Sequence, residues 1–153
     1  LPVYIYRQGS AMLHGAEVEM SAAIHHRGAG ELLLRLASDL VRGSLSDGGP
    51  LPAIPPLRAG MELRWNDAHW NAGISAFRYG NQRCVAANEL TTSSYLMIDA
   101  DFSFEKPLSK GHVDWFIRAS NLADTEARRH TSPLKEYVPL PGRSVSAGMR
   151  WQF

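Results

Sequence analysis

Three groups of side chains have types and spacings that could do chemistry. The first is Arg128-Arg129-His130, two fixed cations beside an imidazole. Guanidinium forks offer paired donors and the imidazole a ring nitrogen, so the set suits contact with an anion or a metal chelate. It suits equally a structural role within its own loop, and both readings stay open. The second group is His25-His26. Adjacent imidazoles could hold a metal, but neighbours on an extended chain point to opposite faces, so a solvated turn is the expected role. The third is Glu17 with Glu19. Paired acids can serve general acid–base catalysis, but salt bridges to nearby arginines account for them more simply. No Ser-His-Asp arrangement and no phosphate-binding glycine loop has usable spacing. Neither catalysis nor a bound cofactor is expected, and no metal-ligand set is assigned.

The totals narrow the class. A chain of 153 residues is enough for one domain. Its net charge of +1 and lack of a basic run give no support for a nucleic-acid partner. Charged residues make up 20%, and the mean hydropathy of −0.22 is only mildly polar. No stretch approaches the roughly eighteen apolar residues of a membrane-crossing helix, although barrel strands cross with about ten alternating residues. The lone Cys84 leaves no internal disulfide and no cysteine-based zinc site. No leader precedes Leu1, so the chain is expected to be either cytosolic or a piece of a longer exported protein.

The elements that must position these groups follow from alternation. The last stretch, 143–153, puts Val145, Ala147, Met149, Trp151 and Phe153 on one face and Ser144, Ser146, Gly148, Arg150 and Gln152 on the other. A period of two over this length is an amphipathic strand. After a lead-in at 1–10, Ala16, Val18, Met20, Ala22 and Ile24 alternate with Glu17 and Glu19, up to a turn at 26–30. Residues 31–44 place Leu32, Leu34, Leu36 and Leu40 together, and strand is preferred over helix because no cap precedes Glu31. The same pattern predicts strands over 57–65, 70–79, 95–105 and 112–120. Short turns are expected at 26–30, 66–68 and 106–111, and long loops at 45–56, 81–94 and 121–142. The first of these loops carries four prolines and two glycines.

Seven antiparallel strands with one apolar face are thus expected, their loops sorted by length to opposite sides. The other face carries Glu17, Glu19, Arg58, Glu62, Arg64, Asp99, Asp101 and Arg118 among its charges. A soluble sandwich with its charge outside and a membrane barrel with its charge in the lumen share this pattern. The tryptophans favour the barrel. Trp65, Trp70, Trp115 and Trp151 all sit on the apolar face near short turns or the chain end, as an interfacial girdle would.

Several motifs then combine. They are His14-Gly-Ala-Glu-Val-Glu19, Gly48-Gly-Pro-Leu-Pro-Ala-Ile-Pro-Pro-Leu-Arg58, Asn88-Glu-Leu and Arg118-Ala-Ser-Asn-Leu-Ala-Asp124. Glu126-Ala-Arg-Arg-His-Thr-Ser132, Leu140-Pro-Gly-Arg-Ser-Val145 and the terminal aromatic strand complete the set. Together they resemble the carboxy-terminal part of TonB-dependent outer-membrane receptors of the iron-complex or zinc uptake type. The resemblance implies an all-β, antiparallel up-and-down transmembrane barrel of about 22 strands closed around a plug, of which these would be the last seven. It implies the outer membrane of a Gram-negative bacterium, and uptake of a metal or a metal chelate such as a siderophore. Its partners would be outer-membrane lipid, the plug and remaining strands, TonB through an amino-terminal part not present here, and the barrel-assembly machinery. On this reading the polar-face charges dock the plug, Arg128, Arg129 and His130 are substrate-contact candidates, and Trp151 with Phe153 belongs to the insertion signal. The alternative is a complete small barrel, either membrane-bound and adhesin-like or soluble and ligand-binding.

Overall fold

The computed structural model describes residues 9–28 and 30–153, so most of the lead-in at 1–10 lies outside the described residues. Seven strands lie in one sheet in chain order, each antiparallel to the last. They are β1 (Ala11–Arg27), β2 (Gly30–Leu45), β3 (Arg58–Asn66), β4 (Trp70–Tyr79), β5 (Tyr95–Pro107), β6 (His112–Ser120) and β7 (Ser144–Gln152). Connections β2–β3, β4–β5 and β6–β7 are long and the other three short, so long and short connections fall at opposite ends of the sheet.

Register carries the alternation of each strand across the whole sheet. One row runs Ala22, Leu34, Leu63, Ile74, Ala100, Ala119 and Val145. The adjacent row on the opposite face runs Ala23, Leu33, Arg64, Gly73, Asp101, Arg118 and Ser146. The strands therefore share one apolar and one polar face. The tryptophans fall into three neighbouring cross-strand rows near the short turns: Trp65 level with Phe102, Trp70 and Trp115 level with Phe104, and Trp151 opposite Val113. Trp65 and Trp70 stack at 5.7 Å, and Trp70 lies 6.3 Å from Phe102.

The first turn is tighter than its sequence suggests. A turn over 26–30 is expected, yet β1 continues through His25 and His26, and Arg27 pairs with Gly30. Gly28, at φ 60°, supplies the left-handed backbone that a two-residue hairpin connection needs. A register shift between Ala23 and His25 leaves Ile24 as an extra residue. It brings His25 level with Leu32 on the apolar side and His26 level with Glu31 on the polar side. The two imidazoles point apart, as extended neighbours must. β1 also starts earlier, at Ala11, and β5 runs two residues further, to Pro107.

Almost nothing is buried by the sheet itself. Among the described hydrophobic residues only Tyr95 and Ala127 are fully packed away, both at the long-loop end. Mid-strand apolar residues stay open, with Val18 58%, Met20 64%, Ile74 52% and Ile117 50% exposed. Hydrogen bonding satisfies the backbone of the inner strands, while among the described residues no protein layer lies against the apolar face.

Gly73 occupies a key position on the polar face. A Cβ there would lie 2.8 Å from Arg64 Nη2 and 2.8 Å from Asp101 Oδ1. Its absence lets the Arg64 guanidinium lie across β4 and reach β5. Replacing Gly73 with Val should displace that group and cost about 1–3 kcal/mol, the usual range for overpacking. Thermal unfolding in detergent should show the loss, and its sum with Asp101→Asn should fall short of additivity. A G73V chain as stable as the parent would mean that the bridge contributes nothing.

Candidate functional site

The polar face is wired by ion pairs. Arg35 makes a two-pronged contact with Glu19, at 2.9 and 2.8 Å, and approaches Glu62 at 3.6 Å. Glu62 accepts from Arg64 at 3.0 and 2.8 Å, and Arg64 donates to Asp101 at 3.1 and 3.0 Å. Four strands are thereby joined through Glu19, Arg35, Glu62, Arg64 and Asp101, with β4 crossed at Gly73. Arg58 instead holds Asp39 at 2.6 Å and lies 5.4 Å over the Phe77 ring. Arg118 stands opposite Asp101 in register and 5.3 Å over Phe116. Asp99 accepts the Asn121 backbone N–H at 2.9 Å. Glu17 lies level with Asp39 and makes no ion pair among the described residues. A cavity of about 510 Å³ opens on this face beside Glu62, Arg64, Phe77, Asp99, Asp101 and Arg118.

At the long-loop end, one carboxylate ties three loops together. Glu89 Oε1 accepts from the Ala53 N–H at 3.0 Å and from Lys135 Nζ at 2.8 Å, while Oε2 accepts from the Ala86 N–H at 3.1 Å. Burial alone would raise the Glu89 carboxyl. The Lys135 contact and the two backbone donors outweigh it and hold the group at about 2. His130 is 3% exposed and lies against this cluster, Nε2 3.1 Å from Glu89 Oε1 and Nδ1 2.9 Å from Thr92 Oγ1. An ionised carboxylate only accepts, so Nε2 carries the proton and Nδ1 accepts from the Thr92 hydroxyl. Burial, and then the Lys135 charge, push the His130 imidazole below its ordinary value and keep it neutral.

The neck of the last loop is clamped by two residues with left-handed backbone, Asn121 at φ 51° and Asp124 at φ 52°. The Asn121 amide donates to the Thr125 and Pro141 carbonyls at 2.9 and 3.1 Å and accepts from the Thr125 N–H at 3.0 Å. Asp124 accepts the Arg143 N–H at 2.8 Å. The Asn-Leu-x-Asp and Pro-Gly-Arg motifs are thus two ends of one clasp.

The three loop candidates are placed differently. Arg128 turns into its own loop, donating to the Lys135 and Glu136 carbonyls at 2.8 and 2.6 Å. His130 is enclosed by Thr92, Glu89 and Lys135. The Arg129 side chain is exposed and makes no hydrogen bond or ion pair among the described residues, while its carbonyl accepts the Ser132 N–H at 3.0 Å. It borders a cleft of about 380 Å³ with Asp39, Pro55, Pro56, Arg58, Tyr79 and Tyr95. The two tyrosines stack at 4.6 Å, on the polar face below the loops. An aromatic wall with a guanidinium at its rim suits a flat anionic ligand or chelate. Sequence reasoning singled out neither Tyr79 nor Tyr95 as site residues. Their signal was in plain view, polar-face aromatics beside long loops. At the opposite end of the sheet, Trp151 and Phe153 lie 5.4 Å apart, with Phe153 95% exposed.

Together these features define a class, an up-and-down antiparallel β-sheet of barrel-wall type with one apolar face and its long loops at one end. No family model matches the chain. Among solved structures it is similar to "Copper transporter OprC", an outer-membrane barrel, with a TM-score of 0.76 and 23% sequence identity over 94% of this chain. The chain spans 23% of that protein's length, and at this identity the likeness shows the fold.

The loop cluster should loosen in acid in two stages. A His130 held neutral contributes stability in full above its ordinary value of 6.5, and that stability falls as pH drops below it, because the opened loop takes up the proton first. The Glu89 contribution is complete above 4.5 and is lost as pH falls towards about 2. Amide exchange at Ala53 and Ala86, corrected for intrinsic rate, should report both stages. Glu89→Gln should abolish the lower one and cost on the order of 2–3 kcal/mol of local protection at neutral pH. Unchanged protection in E89Q would show that the carboxylate does not hold the loops.

Proposed function

We propose that this chain is part of the wall of a TonB-dependent outer-membrane receptor that takes up a metal or a metal chelate such as a siderophore. The observation that carries the reading is the uncovered apolar face. A soluble sandwich or ligand-binding barrel would pack that face against a second layer, whereas here lipid would cover it. Its charges lie only near the ends, with Arg42 and Arg78 toward the long loops and Lys106 toward a short turn. Between Leu32 and Leu40 the uncharged run on this face, with Ser38 its one polar residue, spans ~26 Å along the strand, or ~20 Å at a barrel-like tilt, close to a barrel's apolar band. The tryptophan rows supply one aromatic interface. The motif resemblance and the fold likeness to a copper transporter point the same way. A closed small barrel is less well supported, because among the described residues β1 and β7 each pair on one side only.

On this reading the outer membrane is the location, and the polar face looks into the lumen. Its ion-paired ladder offers a docking surface for a plug, with TonB acting through that plug and the barrel-assembly machinery reading Trp151 and Phe153. The Arg129–Tyr79–Tyr95 cleft collects the substrate.

Single cysteines at Ile74 and Ser75, in a Cys84→Ser background expressed in an outer membrane, test the orientation. Ser75→Cys should react with a membrane-impermeant maleimide once the membrane is opened, and Ile74→Cys should react only with a lipid-soluble reagent. Equal aqueous labelling at both positions would sink the membrane reading. Arg129→Ala should weaken chelate binding at least about tenfold if the cleft is a substrate contact. Unchanged binding would remove the cleft from the proposal.

A further inference from the structure

A second group of side chains lies at the other end of the polar face, close to the short β5–β6 turn. Glu105, His112 and Asp114 each present a ligand atom, and these atoms lie within 4.8 Å of one another. Strand pairing fixes the arrangement. Glu105 stands directly opposite Asp114, and His112 is two residues from Asp114 on the same face of β6. Glu105 is exposed, whereas His112 and Asp114 are half-buried.

The electrostatics of this trio differ from the rest of the wall. Glu19, Asp39, Glu62 and Asp101 each hold an arginine. Glu105 and Asp114 form a like-charge cross-strand pair, which is destabilising by itself. No lysine or arginine pairs with either among the described residues. Lys106 points to the other face, level with Val113. Arg150 is level with Asp114 on β7 but makes no ion pair with it within 4 Å. Among the described residues the only charge partner within 4 Å is His112, whose Nε2 lies 3.6 Å from Asp114 Oδ2. Two opposed carboxylates and an imidazole thus share one hairpin, with no lysine or arginine paired to them among the described residues.

We propose that Glu105, His112 and Asp114 bind one divalent cation of the zinc–copper class. One imidazole and two carboxylates suit a borderline metal, and such an ion takes these ligands at about 2.0–2.2 Å. Neighbouring ligand atoms on one ion stand ~3–4 Å apart, so rotation of the Glu105 and Asp114 carboxyls by under about an ångström each closes the set. The strand backbone need not move. Three protein ligands leave positions for water or a passing donor, which makes the site an exchangeable one and not a sealed structural centre. It stands on the hairpin's geometry and does not depend on the uptake reading. If that reading holds, the trio is a relay for metal at the end of the lumen opposite the loops.

Zinc binding to the full chain in detergent, measured by competition with a chromophoric chelator, tests the assignment. One equivalent should bind, and His112→Ala and Asp114→Asn should each weaken it at least about tenfold. The double variant H25A/H26A, which removes the chain's adjacent histidine pair, should leave the affinity unchanged. Glu105→Gln guards against a folding artefact, because it relieves a repulsion. Its metal-free melting temperature should be equal to or above the parent's, and the zinc-induced rise should shrink. The proposal is overturned if no equivalent binds, if the affinity survives H112A and D114N, if it follows His25 and His26, or if E105Q keeps the full zinc-induced rise.

Discussion

Cross-strand register governs every other property of this sheet. Six pairings carry one alternation across seven strands, so a slip of one residue in any of them would send arginines and glutamates to the apolar side. The side chains themselves oppose such a slip. Arg64 reaches Asp101 only because Gly73, and no larger residue, lies between them in the same row. Shift β4 by one and either Ala72 or Ile74 would take that place, blocking the guanidinium. The ladder therefore acts as a register lock as much as a source of energy, which suits half-exposed ion pairs that contribute little stability singly.

Given that register, the apolar face becomes an unmet requirement. Protein interiors normally supply the partner layer, and among the described residues none is present against Met61, Ile74 or Ile117. Hydrogen bonding completes the backbone within the sheet but leaves β1 and β7 with one open side each. A face of this kind is stable where the surrounding medium is itself apolar, and an open edge is stable where another strand pairs with it. Both conditions are those of a membrane barrel wall, which is why the fold likeness to a barrel and the lack of a core belong to one explanation.

Much of the sheet was legible because alternation is local. Each strand announces its face through residues two apart, and the Pro- and Gly-rich stretch at 45–56 marks a loop without help from its neighbours. The first turn was placed at 26–30 because His25, His26 and Gly28 look like turn residues together, whereas the strand pairing continues to Arg27 and Gly30 once Ile24 is taken up as an extra residue. The loops were less legible for a different reason. His130 finds Thr92 across 38 positions and Lys135 finds Glu89 across 46, and no periodicity encodes such meetings. Glu89 and Asn121 entered the sequence reading only within resemblance motifs, and their roles as a three-loop tie and a neck clasp emerge from geometry alone. The Glu105–His112–Asp114 trio was hidden in the same way, since the pairing that opposes Glu105 to Asp114 depends on the turn length.

Charge along the polar face then acquires a direction. In the middle, acids and arginines largely neutralise one another through the ladder. Toward the loops, Glu89 and Lys135 cancel, His130 stays neutral, and Arg129 remains as a guanidinium without a partner among the described residues. Toward the short turns, Glu105 and Asp114 make no ion pair with a lysine or arginine among the described residues, although Arg150 is level with Asp114. The face thus runs from an aromatic mouth with the unpaired Arg129 guanidinium at its rim and Glu17 in its row, across a neutralised wall, to a foot that carries the opposed Glu105 and Asp114. Such a gradient discriminates by chemistry at each end. On the proposed uptake reading, the guanidinium at the mouth would meet an anionic chelate and the opposed carboxylates at the foot a bare divalent cation, so no single residue would have to bind both.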